Sequence, residues 1–493
     1  MEERIVLVGV GGTGMSGVAH LLLDLGYTNL IGIDSTQSEL TDTLQAKGMQ
    51  IIIGHGSYQG NSRDIVIYSA AAHQSVEVQF ALDHRKDDHK HPWLVLNYFE
   101  FLGELSKYFT TIAIAWTHGK STTTWLTAQA LSQHHPLFGL SILGAGVTQR
   151  WWKNALYAPA HRSALRRLID HCLGSHRADR YDDTKKYLFV VEACEFNRHF
   201  LNLDVDYAII TNIELDHADV YWTLENYMAA FTTFAKNVKK DIYMLTWAIW
   251  QETLFSSLIE TTEPASLPTS TSTPTLHALS TQQFTFSHLL WSHNHGNASL
   301  ALALIENLLH EQDPSTAIWV ASWVVASLSG FEGLRRRTEL LWETPSGAAV
   351  YTDYGHHPTE LRSTLQWLRE KYPNKQVTCI FQPHQARRVM EFWDTFGETL
   401  RTCDHLIIYD IYAARENLTD LKKLFTQRHF DDIHTIEDLW QHFAAHCNGT
   451  YTWTFENITK TLDNTWPDNV IIVFTAWNLD YLLRTHYTFT HPK

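Results

Sequence analysis

The sequence predicts an α/β protein of three doubly wound domains, and three observations predict it. Two tight turns, at Gly9–Gly17 and Thr117–Thr124, each follow a short apolar strand and precede a helix-compatible stretch. A third alternation of strands and helices opens after residue 331. Such alternation builds parallel sheets whose ligands gather at the carboxyl ends of the strands. A length of 493 residues fits about three domains. The expected boundaries are 1–106, 107–330 and 331–493.

In the first domain Arg4–Val8 is an apolar strand, followed by Gly9-Val10-Gly11-Gly12-Thr13-Gly14 and an amphipathic stretch, Val18–Leu25. Ile31–Asp34 ends a second strand in an acid 20 residues beyond Gly14. Glycines there let a backbone approach a diphosphate, and the acid can bind a ribose or base. This predicts a Rossmann-like domain; a plain glycine turn in an α/β unit is the competing reading. Met49–Ile53 and Asp64–Ser69 continue the alternation, and Asp83–Lys90 reads as an exposed loop.

The second domain opens on Ile112–Ala115, then Thr117-His118-Gly119-Lys120-Ser121-Thr122-Thr123. Strand, turn and helix N-terminus in that order form a phosphate-binding loop: backbone N–H groups surround a polyphosphate. Lys120 would reach the outer phosphates and Ser121 would offer Mg²⁺ an oxygen. Trp116 stands where such a loop needs its first glycine. Tyr187–Val191 leads to Glu192-Ala193-Cys194-Glu195, and Tyr207–Thr211 leads to Glu214 and Asp216-His217, again at strand ends. Taken alone, His217 is more often an ordinary surface histidine. Gly146–Lys186 reads as a solvated insertion, and the Thr/Ser/Pro-rich Thr261–Thr281 as a linker or mobile loop.

In the third domain Val350–Tyr354 precedes Gly355-His356-His357-Pro358 and a helix, Leu361–Lys371. Val377–Phe381, His405–Tyr409 and Asn469–Phe474 complete a second Rossmann-like alternation. Arg335–Arg337 could be a solvated basic face. His356-His357 could be a metal pair, but no third ligand is spaced for zinc.

Composition narrows the partners. A net charge of −15 leaves no basic footprint, so no nucleic-acid partner is expected. MEERIVLVGVGG lacks a signal-peptide core, and no long apolar run follows; a cytoplasmic protein without membrane insertion is the expectation. The five cysteines form no CxxC pair and read as reduced.

Taken together, GVGGTGMSG at Gly9–Gly17, THGKSTTT at Thr117–Thr124, EACEFNRHFL at Glu192–Leu201 and TNIELDH at Thr211–His217 resemble the Mur ligase family. HN at His293–Asn294, DYGHHPTE at Asp353–Glu360, FQPH at Phe381–His384 and DIYAARE at Asp410–Glu416 extend the resemblance over nearly the whole chain. It implies a UDP-binding first domain, a P-loop ATPase-like second domain, and a third domain reaching nucleotide and amino acid. The implied reaction joins L-alanine to UDP-N-acetylmuramate: ATP phosphorylates the lactyl carboxylate and the amine attacks the acyl phosphate. By resemblance, Thr117, Gly119, Lys120, Ser121 and Thr122 hold ATP phosphates. Ser121 and Glu195 would ligate one Mg²⁺, and His217 a second. Asn294 would meet adenine, Asp353 the ribose and Arg337 the triphosphate. His356 and Arg388 would position the amino-acid carboxylate. Gly11, Gly12, Gly14 and Asp34 would hold UDP, with Ser69 nearby. A monomer or homodimer is expected. The alternatives are a relative that binds UDP-sugar without using ATP, and the sister ligase that recycles murein peptide. Retained Lys120, Ser121, Glu195 and His217 favour the enzyme, and Gly14-Met15-Ser16-Gly17 favours the alanine-adding branch.

The tryptophans are out of keeping with this. There are 18 Trp, and the 24 Gly fall below the roughly 7% of average usage. Trp116, Trp291 and Trp477 stand at glycines of the family motifs, and Trp151-Trp152 where a glycine pair would suit a turn. One cause is expected to cover them all: UGA codons that mean glycine in the source, translated as tryptophan.

Overall fold

The computed structural model describes residues 4–58, 60, 64–84, 94–115, 119–142, 154–174, 185–210, 218–221, 223–245, 275–279, 292–312, 324–327, 333–344, 346–384, 386–409, 436–452, 454–464, 468–475 and 478–490. Thr117, His217, Trp116, Trp151, Trp152, Trp291 and Trp477 lie outside them, as does the DIYAARE stretch.

The first sheet takes β1 (Ile5–Val8), β2 (Leu30–Asp34), β3 (Gln50–Ile53), β4 (Ile65–Tyr68) and β5 (Leu94–Asn97). Their order is β3-β2-β1-β4-β5 and every pairing is parallel. Both faces are covered, so β1 and β4 are continuous apolar runs rather than alternating ones. The helices of this region are α1 (Thr13–Asp24), α2 (Glu39–Ala46), α3 (Val76–His84) and α4 (Tyr98–Ser106).

The second sheet takes β6 (Thr110–Ala115), β7 (Phe138–Ile142), β8 (Ala155–Tyr157), β9 (Leu188–Ala193), β10 (Tyr207–Ile210), β11 (Asp241–Leu245) and β12 (Thr275–Leu279). Their order is β12-β11-β10-β6-β9-β7-β8, antiparallel only at the β7–β8 pair. With β6 between β9 and β10, the carboxyl end of β6 lies at the sheet centre, where an open α/β sheet leaves its crevice. Helices α5 (Lys120–His134), α6 (Arg162–Cys172), α7 (Ala218–Tyr221), α8 (Leu224–Lys236) and α9 (Ser292–Gln312) accompany it.

Two sequence readings change here. Part of the expected solvated insertion is packed: α6 buries Leu165, Leu168, Ile169 and Cys172, an i, i+3, i+4, i+7 stripe hidden among its arginines. Within the expected linker, Thr275–Leu279 form β12, an edge strand parallel to β11.

The first two sheets share one hydrophobic cluster, from Ile5 and Leu7 through Val18, Phe101 and Leu165 to Phe189 and Val191. Residues 1–332 accordingly make one compact unit and 333–493 another. Polar ties reinforce the shared core. Asn154, buried just before β8, donates to Ser16 Oγ at 2.7 Å. Arg166 on α6 donates to the Gly26 carbonyl at 2.7 Å and covers the Tyr27 ring, whose hydroxyl donates to Asp170 at 2.6 Å.

At the far end of α5, burial pushes the His135 imidazole down to about 4 from its usual 6.5. Between those values the unfolded chain binds the proton and the folded chain does not, so stability falls as pH drops from 6.5 toward 4. The slope from this group is at most roughly 1.4 kcal/mol per pH unit. His135→Gln should flatten the pH dependence of thermal unfolding over that window; an unchanged profile would contradict it.

The second unit holds β13 (Glu339–Glu343), β14 (Ala349–Asp353), β15 (Gln376–Gln382), β16 (His405–Tyr409), β17 (Thr450–Thr452) and β18 (Asn469–Thr475). The order is β13-β14-β18-β15-β16-β17, antiparallel only at β13–β14. Its helices are α10 (Pro358–Lys371), α11 (Ala386–Glu391), α12 (Trp393–Leu400), α13 (Ile436–His446), α14 (Phe455–Asp463) and α15 (Asn478–Thr490). Among the described residues no helix is long and apolar enough to cross a membrane.

Candidate active site

The turn after β1 is drawn tight by its glycines. Gly9 has φ +81°, and a Cβ there would lie 2.1 Å from Ser69 Oγ. The Gly11 N–H donates to Asp34 Oδ2 at 2.8 Å, and a Cβ on Gly11 would crowd that same oxygen. The structure thus gathers Gly11, Gly12, Asp34 and Ser69 at the carboxyl end of the first sheet. Gly14 has another reason to be glycine: it packs against the Tyr98 ring, which a Cβ would approach to 2.8 Å.

At the carboxyl end of β6, Gly119 takes φ +86° and caps α5. An L side chain is strained in that conformation, which accounts for the glycine. The Thr123 and Thr124 hydroxyls donate back to the Gly119 and Lys120 carbonyls, so a threonine-rich first turn stays helical. Lys120 Nζ meets Glu195 at 3.0 and 2.8 Å, with Glu195 almost wholly buried. Burial alone would lower the Lys120 pKa; Glu195 and its neighbours outweigh it and hold the ammonium above its ordinary value. Ser121 Oγ donates to Glu192 Oε2 at 2.9 Å.

Ser121 thus hydrogen-bonds to Glu192, while Glu195 pairs with Lys120. Glu192 lies inside β9 in register with Ile114, close to the start of α5. Glu195 is two residues beyond the strand, where the chain turns into the 3₁₀ segment Phe196–Asn202, and it reaches Lys120 instead. Cys194 between them is pushed up to about 12 by burial and by Glu195, so its thiol stays protonated. Asn294 is buried near the start of α9 and accepts a hydrogen bond from Asn297 at 3.1 Å.

In the second unit a short loop leads into β13. Arg336 and Thr338 have φ +57° and +46°, left-handed values on non-glycine residues. Such backbone costs about 1–3 kcal/mol per residue and persists only where its surroundings hold it. Asp353 Oδ2 accepts from both the N–H and the hydroxyl of Thr338 at 2.7 Å, and Oδ1 accepts from the Gly355 N–H at 2.6 Å. Asp353 thus fixes two turns at once. Burial raises its carboxyl above the ordinary value against the pull of Arg337 and these donors. Arg337 lies over the Tyr354 ring, with Nη1 3.6 Å from Glu360 Oε1. Glu360 Oε2 accepts from the His356 N–H at 2.9 Å, and the His356 and His384 rings lie 5.6 Å apart. Arg388 is buried on α11.

Three family models match consecutive stretches of the chain: the Mur ligase family catalytic domain at 4–110, the Mur ligase middle domain at 114–305, and the Mur ligase glutamate ligase domain at 336–450. A UDP-N-acetylmuramate–L-alanine ligase of Chlorobium phaeobacteroides strain BS1 is 31% identical over 431 residues, covering 84% of this chain and 83% of the relative. The chain belongs to the Mur ligase family. As a Mur ligase it is an ATP-dependent acid–amino-acid ligase of peptidoglycan synthesis. A relative of the same printed name from Alkaliphilus metalliredigens is 29% identical over 444 residues, covering 87% of this chain and 88% of its own. The solved UDP-N-acetylmuramate-alanine ligase of Thermotoga maritima shares the fold at 19% identity, with a TM-score of 0.66 over 99% of this chain and all of that one. A murein peptide ligase of Psychrobacter arcticus also shares it, at 19% identity and a TM-score of 0.61 over 100% of this chain and 99% of its own.

Sequence reasoning gave no role to two helix carboxylates, Glu77 and Glu360, that brace loops of this Mur ligase. Glu77 is buried; it accepts from the Gly56 N–H at 2.6 Å and binds His55 Nδ1 at 2.9 Å. Those two bonds hold its carboxyl below the ordinary value despite the burial that pushes it up. The loop they fix is tied to the Asp34 carbonyl through the Gly54 N–H at 2.8 Å. The available signal was an acid on the apolar face of α3, alongside Val78 and Ala81. Glu360, quoted only as the end of a motif, joins Arg337 to the His356 turn.

Proposed function

We propose that this Mur ligase joins L-alanine to the lactyl carboxylate of UDP-N-acetylmuramate through an acyl phosphate formed from ATP. Relatives of that printed name, at about 30% identity along most of the chain, carry the substrate assignment. The turn at Gly119–Thr122 supports the phosphate assignment: backbone N–H groups of a helix start, a fixed ammonium and a hydroxyl converge there. Ser121 and Glu192 fit Mg²⁺, being hard oxygen donors already 2.9 Å apart. When bound, the ion neutralises phosphate charge in the transferring group. Glu195 orients Lys120 toward the transferring phosphate, whose charge it stabilises without covalent participation. His217 is assigned to a second ion by resemblance.

Gly11, Gly12, Asp34 and Ser69 are proposed to hold the UDP moiety, with Gly14 keeping α1 close to Tyr98. In the second unit Arg337 is assigned to the triphosphate, and His356 and Arg388 to the amino-acid carboxylate. Asp353 is proposed to set the loops around Arg337 and Gly355 and to meet the ribose with whatever acceptor capacity remains. Both substrates and ATP are cytoplasmic metabolites, and the reading places the protein there.

The test is phosphate release with purified protein. It should require ATP, Mg²⁺, UDP-N-acetylmuramate and L-alanine together; a murein tripeptide in place of alanine should not support it. Hydrolysis indifferent to UDP-sugar and amino acid would overturn the assignment. The two acids separate in a second experiment. Glu192→Gln should raise the Mg²⁺ needed for half-maximal turnover roughly tenfold or more, while Glu195→Gln should lower the maximal rate with little change in Mg²⁺ demand. The reverse pattern would restore Glu195 as the metal ligand.

A further inference from the structure

The left-handed backbone at Arg336 and Thr338 brackets Arg337, and something must hold it. Glu339 Oε2 accepts from the Arg336 N–H at 2.9 Å. The same carboxylate takes both terminal nitrogens of Arg484, at 2.5 and 3.2 Å, from the C-terminal helix α15. Arg484 Nε in turn donates to Asp480 Oδ2, one helical turn earlier, at 2.9 Å. Arg336 sends Nη2 to the Thr475 carbonyl at 2.8 Å, at the last residue of β18. Glu339 and Asp480 are buried, and Arg484 pairs with both. Bidentate arginine–carboxylate pairs of this kind fix direction as well as distance.

We propose that Arg484, Glu339 and Asp480 act as positioning residues: through them the C-terminal helix locks the Arg336–Thr338 backbone in the conformation that presents the Arg337 guanidinium to its substrate phosphate. Arg484 works at one remove. It holds Glu339, Glu339 holds the amide before Arg337, and Asp353 holds the amide after it. With both flanking amides tied, the Arg337 side chain leaves the loop over the Tyr354 ring toward Glu360. Loss of the clamp would let Arg336, a non-glycine residue at φ +57°, relax to ordinary backbone and turn Arg337 away. The proposal rests on the assignment of Arg337 to the triphosphate.

Two readouts test it in the full-length protein. The first is hydrogen exchange at the Arg336 amide, which should be slow in the parent and at least tenfold faster in Arg484→Met, while the Thr338 amide, held by Asp353, serves as the comparison. Arg484→Lys, which keeps one charged contact to Glu339, should fall between. The second is turnover at saturating substrates. Arg484→Met should lower kcat at least tenfold while the KM for UDP-N-acetylmuramate stays within twofold. Faster exchange with parental kcat would overturn the positioning role, and so would parental exchange. If Arg484→Met fails to fold, Glu339→Gln carries the same two measurements. Arg337→Ala with parental turnover would instead refute the assignment of Arg337 and leave the exchange result standing.

Discussion

Lys120→Ala is expected to abolish ligation while the protein still binds UDP-N-acetylmuramate. Lys120 is a fixed cation at the start of α5, held by Glu195 at 2.8 Å. Removing one preorganised charge from such a site costs roughly 10²–10³-fold in rate, and here the same group aligns the phosphates. The alanine variant also leaves Glu195 buried without its cation, a loss on the order of 3–5 kcal/mol when one partner of a buried pair is deleted. Its inactivity alone would therefore be ambiguous. The double variant Lys120→Ala/Glu195→Gln removes the stranded charge, so it should melt closer to the parent and still show no turnover. Binding of the UDP-sugar, measured by calorimetry, should survive in both, since Gly11, Asp34 and Ser69 lie at the end of the other sheet. Equal loss of binding and turnover in the double variant would point to misfolding and sink the assigned role.

Trp116→Gly is expected to raise ATP-dependent turnover by a comparable factor. A phosphate turn needs glycine where the backbone must come close to the ligand, and on the proposed assignment an indole at its first position would crowd the phosphates. A misplacement of about 1 Å at a reacting group can cost on the order of 100-fold. Trp291 and Trp477 stand at two further glycines of the family motifs, so the single change should recover part of the activity and the triple change more. The gene gives an independent reading. UGA at codons 116, 291 and 477, with glycine at those positions by peptide mass in the source organism, is the expected finding. UGG at all three would end the idea and make a relative that binds UDP-sugar without using ATP the better account.

The three sheets were legible because each begins with a strand–turn–helix whose turn residues have few other uses. Gly9, Gly119 and Gly355 mark those turns, and the parallel strands beside them are plain apolar runs. The short edge strands β8, β13 and β17 were not legible. Half-exposed strands of three to five residues carry too little pattern to stand apart from loops. Within the site, residue type was readable and pairing was not. Glu192 and Glu195 are three apart with similar surroundings in sequence, and only the register of β9 against β6 shows which one faces Ser121. Glu77, Glu339 and Arg484 escaped notice for a related reason. Each acts on a residue far along the chain, and a sequence without its fold does not display such partners.

The core common to the first two sheets bears on how such chains can be recombined. Asn154, Arg166 and Asp170, all carried by the second-sheet region, complete the polar contacts of Ser16, Gly26 and Tyr27. A graft that exchanged only residues 1–106 for those of another ligase would cut through a continuous apolar interior and strand Asn154 against a foreign helix. On this packing the unit of exchange is residues 1–332, and chimeras joined near residue 332 should fold where those joined near residue 106 do not.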